Sequence, residues 1–271
     1  MTSIAVWPGY DPHGFSSFYI ASDSRITWDD EGTHNDSLTK LFASTSSPDI
    51  FGFYGYVDFC REILTKITEA GFLQQANLSA DRHQSFLAEA QRFLMCRPAQ
   101  AISDYQHSTG AQFGILHISR DGTGNSSNFT VWHTRWDKNL ISVDTVVPLK
   151  KDSSLLITLG TGWSAVIDER VDWEKDLGLV SRGVFSAFCD ALKKGVDPKS
   201  GGAPQLVGLY RKFSGKTFGI IWEGRLFYRG LKTTCLDAGS LEWRNELFER
   251  CSCSTMERLP DAQPQPRIYR R

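Results

Sequence analysis

The chain has 271 residues, of which 41% are hydrophobic and 23% charged, and a formal net charge of −1. That balance suits a globular protein of one large or two small domains, and it provides no global field to favour nucleic acid or an anionic membrane. With no leader peptide pattern and no run of about 18 apolar residues, the expected compartment is the cytoplasm, without nucleic-acid or membrane partners.

In chain order, a first strand is predicted over Ile4 to Trp7, followed by a long turn of Pro8, Gly9, Asp11, Pro12 and Gly14. A second strand runs from Ser17 to Ser22 into Asp23-Ser24-Arg25. Asp29 to Ser37 is polar and loop-like. Leu38 to Ala43 and Asp49 to Tyr54 have the aromatic and aliphatic content of short buried strands. Helical spacing of Phe59, Ile63, Ile67 and Ala70 predicts a helix over Val57 to Leu73. A second helix starts at Ser79 with Phe86, Ala90, Phe93 and Leu94 on its apolar face. Pro98 interrupts it before a continuation to about Tyr105.

Strands return at Gln112 to Ser119 and Asn128 to Arg135, around the hairpin signal Asp121-Gly122-Thr123-Gly124-Asn125. Ile141 to Pro148 and Ser154 to Leu159 extend this sheet region. Helices fit Trp163 to at least Asp168 and Arg182 to Lys193. Closing strands fit Gln205 to Lys212, Thr217 to Trp222 and Arg225 to Arg229. Each helix needs an apolar sheet face, and each sheet needs its other face covered. The expected architecture is therefore α+β, a four-layer αββα sandwich over residues 1–230. Residues 231–271 form a C-terminal extension, with a helix over Leu241 to Phe248 and a mobile, proline-containing tail from Pro260.

Six cysteines are present. Cys60, Cys96 and Cys189 lie in apolar-rich segments and read as reduced core residues. Cys251 and Cys253 are close, but they lack the companion ligands of a zinc site. No metal or cofactor is expected.

The chemistry-bearing positions are scattered. The chain opens Met1-Thr2-Ser3-Ile4. Cleavage of the Met1–Thr2 bond would leave Thr2 with an α-amine beside its own hydroxyl. Such an amine has a pKa near ~8 and can serve as a general base at neutral pH. A hydroxyl needs a base to become a nucleophile, and the threonine/N-terminal-amine pair supplies one. Asp23 ends a strand, where it is either a surface charge or the partner of a cation near the nucleophile. Lys40 is either a solvated edge residue or a fixed positive charge that tunes the nucleophile. Gly55 either ends a strand or offers its N–H to an oxyanion. Gly160-Thr161-Gly162 lacks the lysine-serine pair of a phosphate cradle. Asp197-Pro198-Lys199-Ser200-Gly201-Gly202 alone reads as a turn with an Asx cap. No histidine assembles a competing triad, and no serine sits in a Gly-x-Ser-x-Gly elbow.

Together these motifs resemble proteasome β-type subunits, including their simpler HslV-type bacterial relatives. Met1-Thr2-Ser3-Ile4-Ala5-Val6 is similar to the family's processed amino terminus, and Asp23-Ser24-Arg25-Ile26-Thr27 to its Asp-x-Arg-x-Thr strand. Lys40-Leu41-Phe42 resembles the catalytic lysine and its strand, and Gly52-Phe53-Tyr54-Gly55 the oxyanion-hole segment. Gly160-Thr161-Gly162 resembles Gly-Ser-Gly, and Asp197-x-x-Ser200-Gly201-Gly202 the family's Asp-x-x-Ser-Gly-Gly. The matches occur in order from Thr2 to about Arg229.

The resemblance implies an N-terminal-nucleophile fold and a threonine peptidase. Thr2 would be the nucleophile and its α-amine the base. Lys40 would tune the pair, held by Asp23, and Gly55 would donate the oxyanion N–H. Thr161, Asp197 and Ser200 would form a network around the amine. The implied partners are peptide or unfolded-protein substrates, copies of the chain in a homo-oligomeric ring, and an ATPase or other activator. The first hairpin, the bulky Tyr56-Val57-Asp58 and the long C-terminal extension depart from the family pattern. Two other readings stand beside the peptidase: a catalytically inactive proteasome-like scaffold, and a monomeric amidohydrolase or transpeptidase.

Overall fold

The structure, a computed structural model, describes residues 2–27, 33–69, 71–107, 112–236 and 241–265. Within them the chain is mixed α+β with mostly antiparallel sheets. Contacts divide it into two units. The first holds residues 1–41, 150–208 and 217–271, and the second holds 42–149 and 209–216.

The first unit is built on β1 (Ser3–Asp11) and β2 (Gly14–Ser22), which pair antiparallel from Ile4↔Ser22 to Asp11↔Gly14. On its other side β1 pairs with β10 (Ile157–Gly160), from Ser3↔Gly160 to Val6↔Ile157. With β11 (Gln205–Tyr210) and β12 (Lys216–Thr217) the sheet order is β10-β1-β2-β11-β12. Ile4, Ala5, Val6 and Trp7 are all fully buried, which explains why this strand reads as a continuous apolar run rather than an alternation. Two helices, α4 (Trp163–Leu177) and α5 (Ser181–Lys194), pack on each other and on β1. Val184, Phe185, Phe188 and Ala191 give α5 its buried face, at the spacing expected of an amphipathic helix. A two-stranded ribbon, β3 (Ile26–Thr27) with β4 (His34–Asn35), follows β2.

The second unit carries a sheet of order β5-β6-β7-β8-β9. Its strands are Leu41–Ala43, Asp49–Tyr54, Phe113–Asp121, Asn128–Trp136 and Ser142–Val146. Its helices are α1 (Val57–Glu69), α2 (Ser79–Met95) and α3 (Ala99–His107). Phe51, Phe53, Phe59, Ile63, Phe86 and Phe113 form the heart of its apolar core. Stacking of Phe113 on Trp136 at 4.9 Å is worth about 0.5–1.5 kcal/mol beyond area burial. Asp121 accepts both the backbone N–H and the hydroxyl of Ser79 at 2.6 Å, which places a carboxylate at the N-terminus of α2, where the helix dipole favours it.

Four expectations are corrected. The residues expected to form a long turn after Trp7 mostly continue β1. Pro8 pairs with Phe18 and Gly9 with Ser17, with a bulge between Gly9 and Tyr10. Pro8 is tolerated because β10 partners β1 only as far as Val6, and a proline without an N–H suits a strand stretch that has lost one neighbour.

Leu241 to Phe248 is not a helix. Trp243–Arg244 forms β16, parallel to β13 (Gly219–Trp222), within the order β15-β14-β13-β16-β17. The others are β14 (Arg225–Tyr228), β15 (Leu231–Lys232) and β17 (Arg250–Cys251). Asn245 Oδ1 accepts the N–H groups of Leu247 and Glu249, a side-chain turn that competes with helix.

The segment from Pro260 is not free as far as Gln265. Gln265 is buried and its Nε2 donates to Ser186 Oγ on α5 at 2.8 Å, while its N–H donates to Glu249 Oε1 at 2.7 Å. Residues 266–271 lie outside the described residues, as do Met1, Ala70 and residues 28–32.

Cys96 is exposed rather than in the core, while Cys60 and Cys189 are buried as expected. Cys253 is disulfide-bonded to Cys235, and Cys251 is free. Among the described residues no helix is long and apolar enough to cross a membrane.

Candidate active site

Six of the seven sequence-predicted residues fall in the first unit: Thr2, Asp23, Lys40, Thr161, Asp197 and Ser200. Gly55 belongs to the second unit. It directly follows β6 with φ of 89°, and a Cβ there would lie 2.5 Å from that of Phe113.

Asp23, fully buried at the end of β2, organises one half of the site. Its Oδ1 accepts Lys40 Nζ at 2.7 Å and the Ser3 N–H at 3.0 Å. Its Oδ2 accepts the N–H groups of Gly201 at 3.1 Å and Arg25 at 3.2 Å. Four donors on one carboxylate satisfy its lone pairs, which is the condition for burying a charge at all. Lys40 is 1% exposed. Burial pushes its ammonium below the usual lysine range, and the Asp23 charge and hydrogen bond pull it back.

Thr161 and Asp197 organise the other half. The Thr161 N–H donates to the Thr2 carbonyl at 2.9 Å, which pins the residue before β1. Gly160 has φ of 89°, and a Cβ on it would meet that carbonyl oxygen at 1.6 Å, so only glycine fits. The Asp197 carboxylate accepts Thr161 Oγ1 at 2.5 Å, Ser200 Oγ at 2.7 Å and the Lys199 N–H at 3.0 Å. Burial pushes the Asp197 carboxyl up, but these hydrogen bonds outweigh it and hold the group below the usual carboxylate range.

The two halves meet through Ser3, which the sequence reading did not single out. Its N–H goes to Asp23, and its Oγ donates to Ser200 Oγ at 2.8 Å. A Cβ on Gly162 would approach Ser3 Oγ to 2.0 Å, so the second glycine of the Gly160-Thr161-Gly162 turn makes room for this link. The direction of the protons is fixed. Asp197 only accepts, so Ser200 and Thr161 spend their hydroxyl protons on it, and Ser3 spends its own on Ser200. The Ser3 and Thr161 hydroxyl oxygens then keep their acceptor capacity.

Gln205 was also missed. Its Oε1 accepts the Lys40 N–H at 3.0 Å, and its Nε2 donates to the carbonyls of Asp23 and Leu38 at 3.0 and 2.8 Å. The signal for it was a polar residue opening the apolar strand Gln205–Tyr210. Arg25 braces the same region, with Asp36 at 2.7 and 2.9 Å and the Pro198 carbonyl at 3.0 Å. A small cavity is lined by Ser3, Gly162, Asp197 and Ser200, with Ala165 of α4 and Leu192 of α5.

No family model matches the chain, and no curated protein matches it in sequence.

Proposed function

We propose that this protein is an N-terminal threonine hydrolase of the proteasome β type, cleaving peptide bonds within a ring of its own copies. The reading includes the four-layer αββα arrangement of that family and an unfolded-protein supply from an ATPase or other activator. One observation carries it. Segments at residues 2–3, 23, 40, 161 and 197–201 converge at the start of β1: Thr161 donates its N–H to the Thr2 carbonyl, and Ser3 donates its N–H to Asp23 and its hydroxyl to Ser200. A structural ion pair does not need five chain segments, nor hydroxyls that pass from Ser3 to Ser200 and from Ser200 and Thr161 to Asp197.

The chemistry follows from the charges. Once the Met1–Thr2 bond is cleaved, the Thr2 α-amine takes the proton of Thr2 Oγ1 as that oxygen attacks the substrate carbonyl carbon. The buried Lys40 ammonium favours the developing alkoxide electrostatically. The carbonyl oxygen needs an N–H donor as it becomes an oxyanion, a role the family resemblance gives to Gly55. The tetrahedral species collapses, the C–N bond breaks, and the amine's proton passes to the leaving nitrogen. An ester to Thr2 Oγ1 remains. Water, deprotonated by the same amine, attacks it, releasing the carboxylic product and restoring the hydroxyl. Asp197 is held ionised by its hydroxyl donors, so its negative charge supports the protonated amine between steps.

The test is intact mass together with labelling by an electrophile selective for N-terminal threonine. The expected result is a threonine amino terminus, one label per chain on Thr2, and turnover of fluorogenic peptides that Thr2→Ala abolishes without lowering the thermal melt. A dominant species retaining Met1, or full turnover in Thr2→Ala, would sink the proposal.

A further inference from the structure

The second unit buries a chain of titratable groups that the proposed chemistry does not use. His117 of β7 is fully buried, and His83 of α2 is 1% exposed. His117 Nε2 lies 2.8 Å from Asp49 Oδ1 of β6. The two imidazoles meet Nδ1 to Nδ1 at 2.9 Å. His83 Nε2 lies 3.0 Å from Asp144 Oδ2 of β9.

Each of these three contacts needs a proton. Two neutral imidazoles carry only two N–H groups, and ionised carboxylates bring none. A third proton therefore belongs to the chain. The pair therefore carries one imidazolium. Either ring can hold the extra proton on Nδ1 and donate it to the other's Nδ1, while each donates from Nε2 to its own carboxylate, His117 to Asp49 and His83 to Asp144.

The surrounding charges balance this arrangement. Asp49 faces His117 from β6, and Arg82 on α2 is ion-paired with Asp49 at 2.9 Å. Asp144 faces His83 from β9. Further out, Arg120 of β7 lies near Arg82, and His133 and Arg135 of β8 lie near Asp144 and each other. Counting the imidazole pair as singly charged, the two inner carboxylates are matched by two inner cations. Burial and the neighbouring His117 pull the His83 imidazole down to about 4, while Asp144 pulls the other way, so a fourth proton is disfavoured. Burial works against the Asp49 carboxylate, yet the His117 and Arg82 contacts hold it down at about 2.

Asp144 is the anchor of an otherwise exposed edge strand. All of Ser142–Val146 is classed as exposed, and Val143 and Val146 are more than half exposed. Asp144 also accepts Thr134 Oγ1 at 2.8 Å, and His83 stacks on Trp132 at 4.4 Å.

We infer that Asp49, His117, His83 and Asp144 form a proton-operated latch that ties strand β9 to helix α2. With the third proton in place, all three contacts hold. When it leaves, two protons serve three contacts, so one of Asp49–His117, His117–His83 and His83–Asp144 is lost. Opening of β9 removes the Asp144 charge that favours the proton, so the latched state binds it more tightly than the open state. The latch is therefore closed on the acid side and loosens as pH rises.

Two measurements on the full chain test this. Nitrogen-15 spectra of the imidazoles at about pH 6 should show three protons shared across the His83 and His117 rings. Amide-exchange protection of β9 should fall as pH rises above the pair's titration, by up to roughly tenfold per pH unit for one linked proton. Asp144→Asn supplies the missing N–H from its own amide to His83 Nε2, and its Oδ1 still accepts Thr134. A neutral histidine pair then satisfies every contact, and β9 protection should no longer depend on pH. Two neutral rings in the wild-type spectra, a flat wild-type profile, or the same pH slope in Asp144→Asn would overturn the latch.

Discussion

The two units each bury a carboxylate against a cation, and they do so in different ways. In the first, Asp23 holds Lys40, and close by the hydroxyls of Ser3, Ser200 and Thr161 donate in one direction, toward Asp197. In the second, every N–H of Arg82 is spent, on Asp49, Ser119 and the carbonyls of Ala76, Asn77 and Arg120. Burial of charge does not by itself mark a reactive site, since structural networks perturb titration too. What separates the two is the run of hydroxyls, at Ser3, Ser200 and Thr161, that the first cluster gathers at the start of β1.

The largest effects should expose that contrast. Lys40→Ala leaves the buried Asp23 charge unmatched, and Asp49→Ala does the same to Arg82 and His117. Each should cost about 3–5 kcal/mol in denaturant melts. Peptide turnover per folded molecule should vanish in Lys40→Ala and survive in Asp49→Ala. Equal turnover in the two proteins would erase the distinction between the clusters. The acid limb separates them as well. The Asp49 carboxyl sits at about 2 in the fold against an ordinary value of 3.8. Its stabilisation is thus complete above roughly pH 4 and is lost as pH falls through about 2. Asp49→Asn should flatten that part of the stability profile.

A middle-sized effect is expected at Asp197. Asp197→Asn removes a negative charge that favours the protonated amine. Turnover should fall on the order of 10²-fold. The amine's pKa drops with the charge, so the acid limb of the rate profile should move to lower pH. An unmoved limb would place Asp197 outside the proton path.

The smallest effect belongs to the bridge between the halves. Ser3→Ala deletes one neutral hydrogen bond, worth about 1 kcal/mol, while Ser200 keeps its bond to Asp197. Turnover should fall less than about tenfold and the melt by roughly 2–4 °C. A loss as large as that of Lys40→Ala would make Ser3 a principal member of the site.

Much of this was legible in the residues, for reasons that differ by element. The starts of α1, α2 and α4 and the strand Asp49–Tyr54 fall at the expected residues, because apolar spacing and helix-start chemistry act locally. Asp23, Lys40, Thr161, Asp197 and Ser200 were found through a family resemblance. Ser3 and Gln205 were not, since a serine in a strand and a glutamine at a strand start carry no local mark of partners 197 and 165 residues away. Pro8-Gly9 misled because a turn signal cannot report that β10 stops alongside Val6. Leu241 to Phe248 misled because its apolar content fits a helix, whereas Asn245 turns the chain and Trp243 packs on Gly219.

The parallel pairing of β16 with β13 bears on where this chain can be shortened. A cut after Arg229 would remove β15, β16 and β17 together, leaving β13 and β14 as a bare hairpin with an open edge on each side. It would also remove the whole Cys235–Cys253 disulfide and Gln265 with its tie to Ser186. Open edges invite pairing between molecules. The residues beyond the last motif therefore act as a seal against self-association, and a truncation that spares every candidate catalytic group should still yield a protein that clumps.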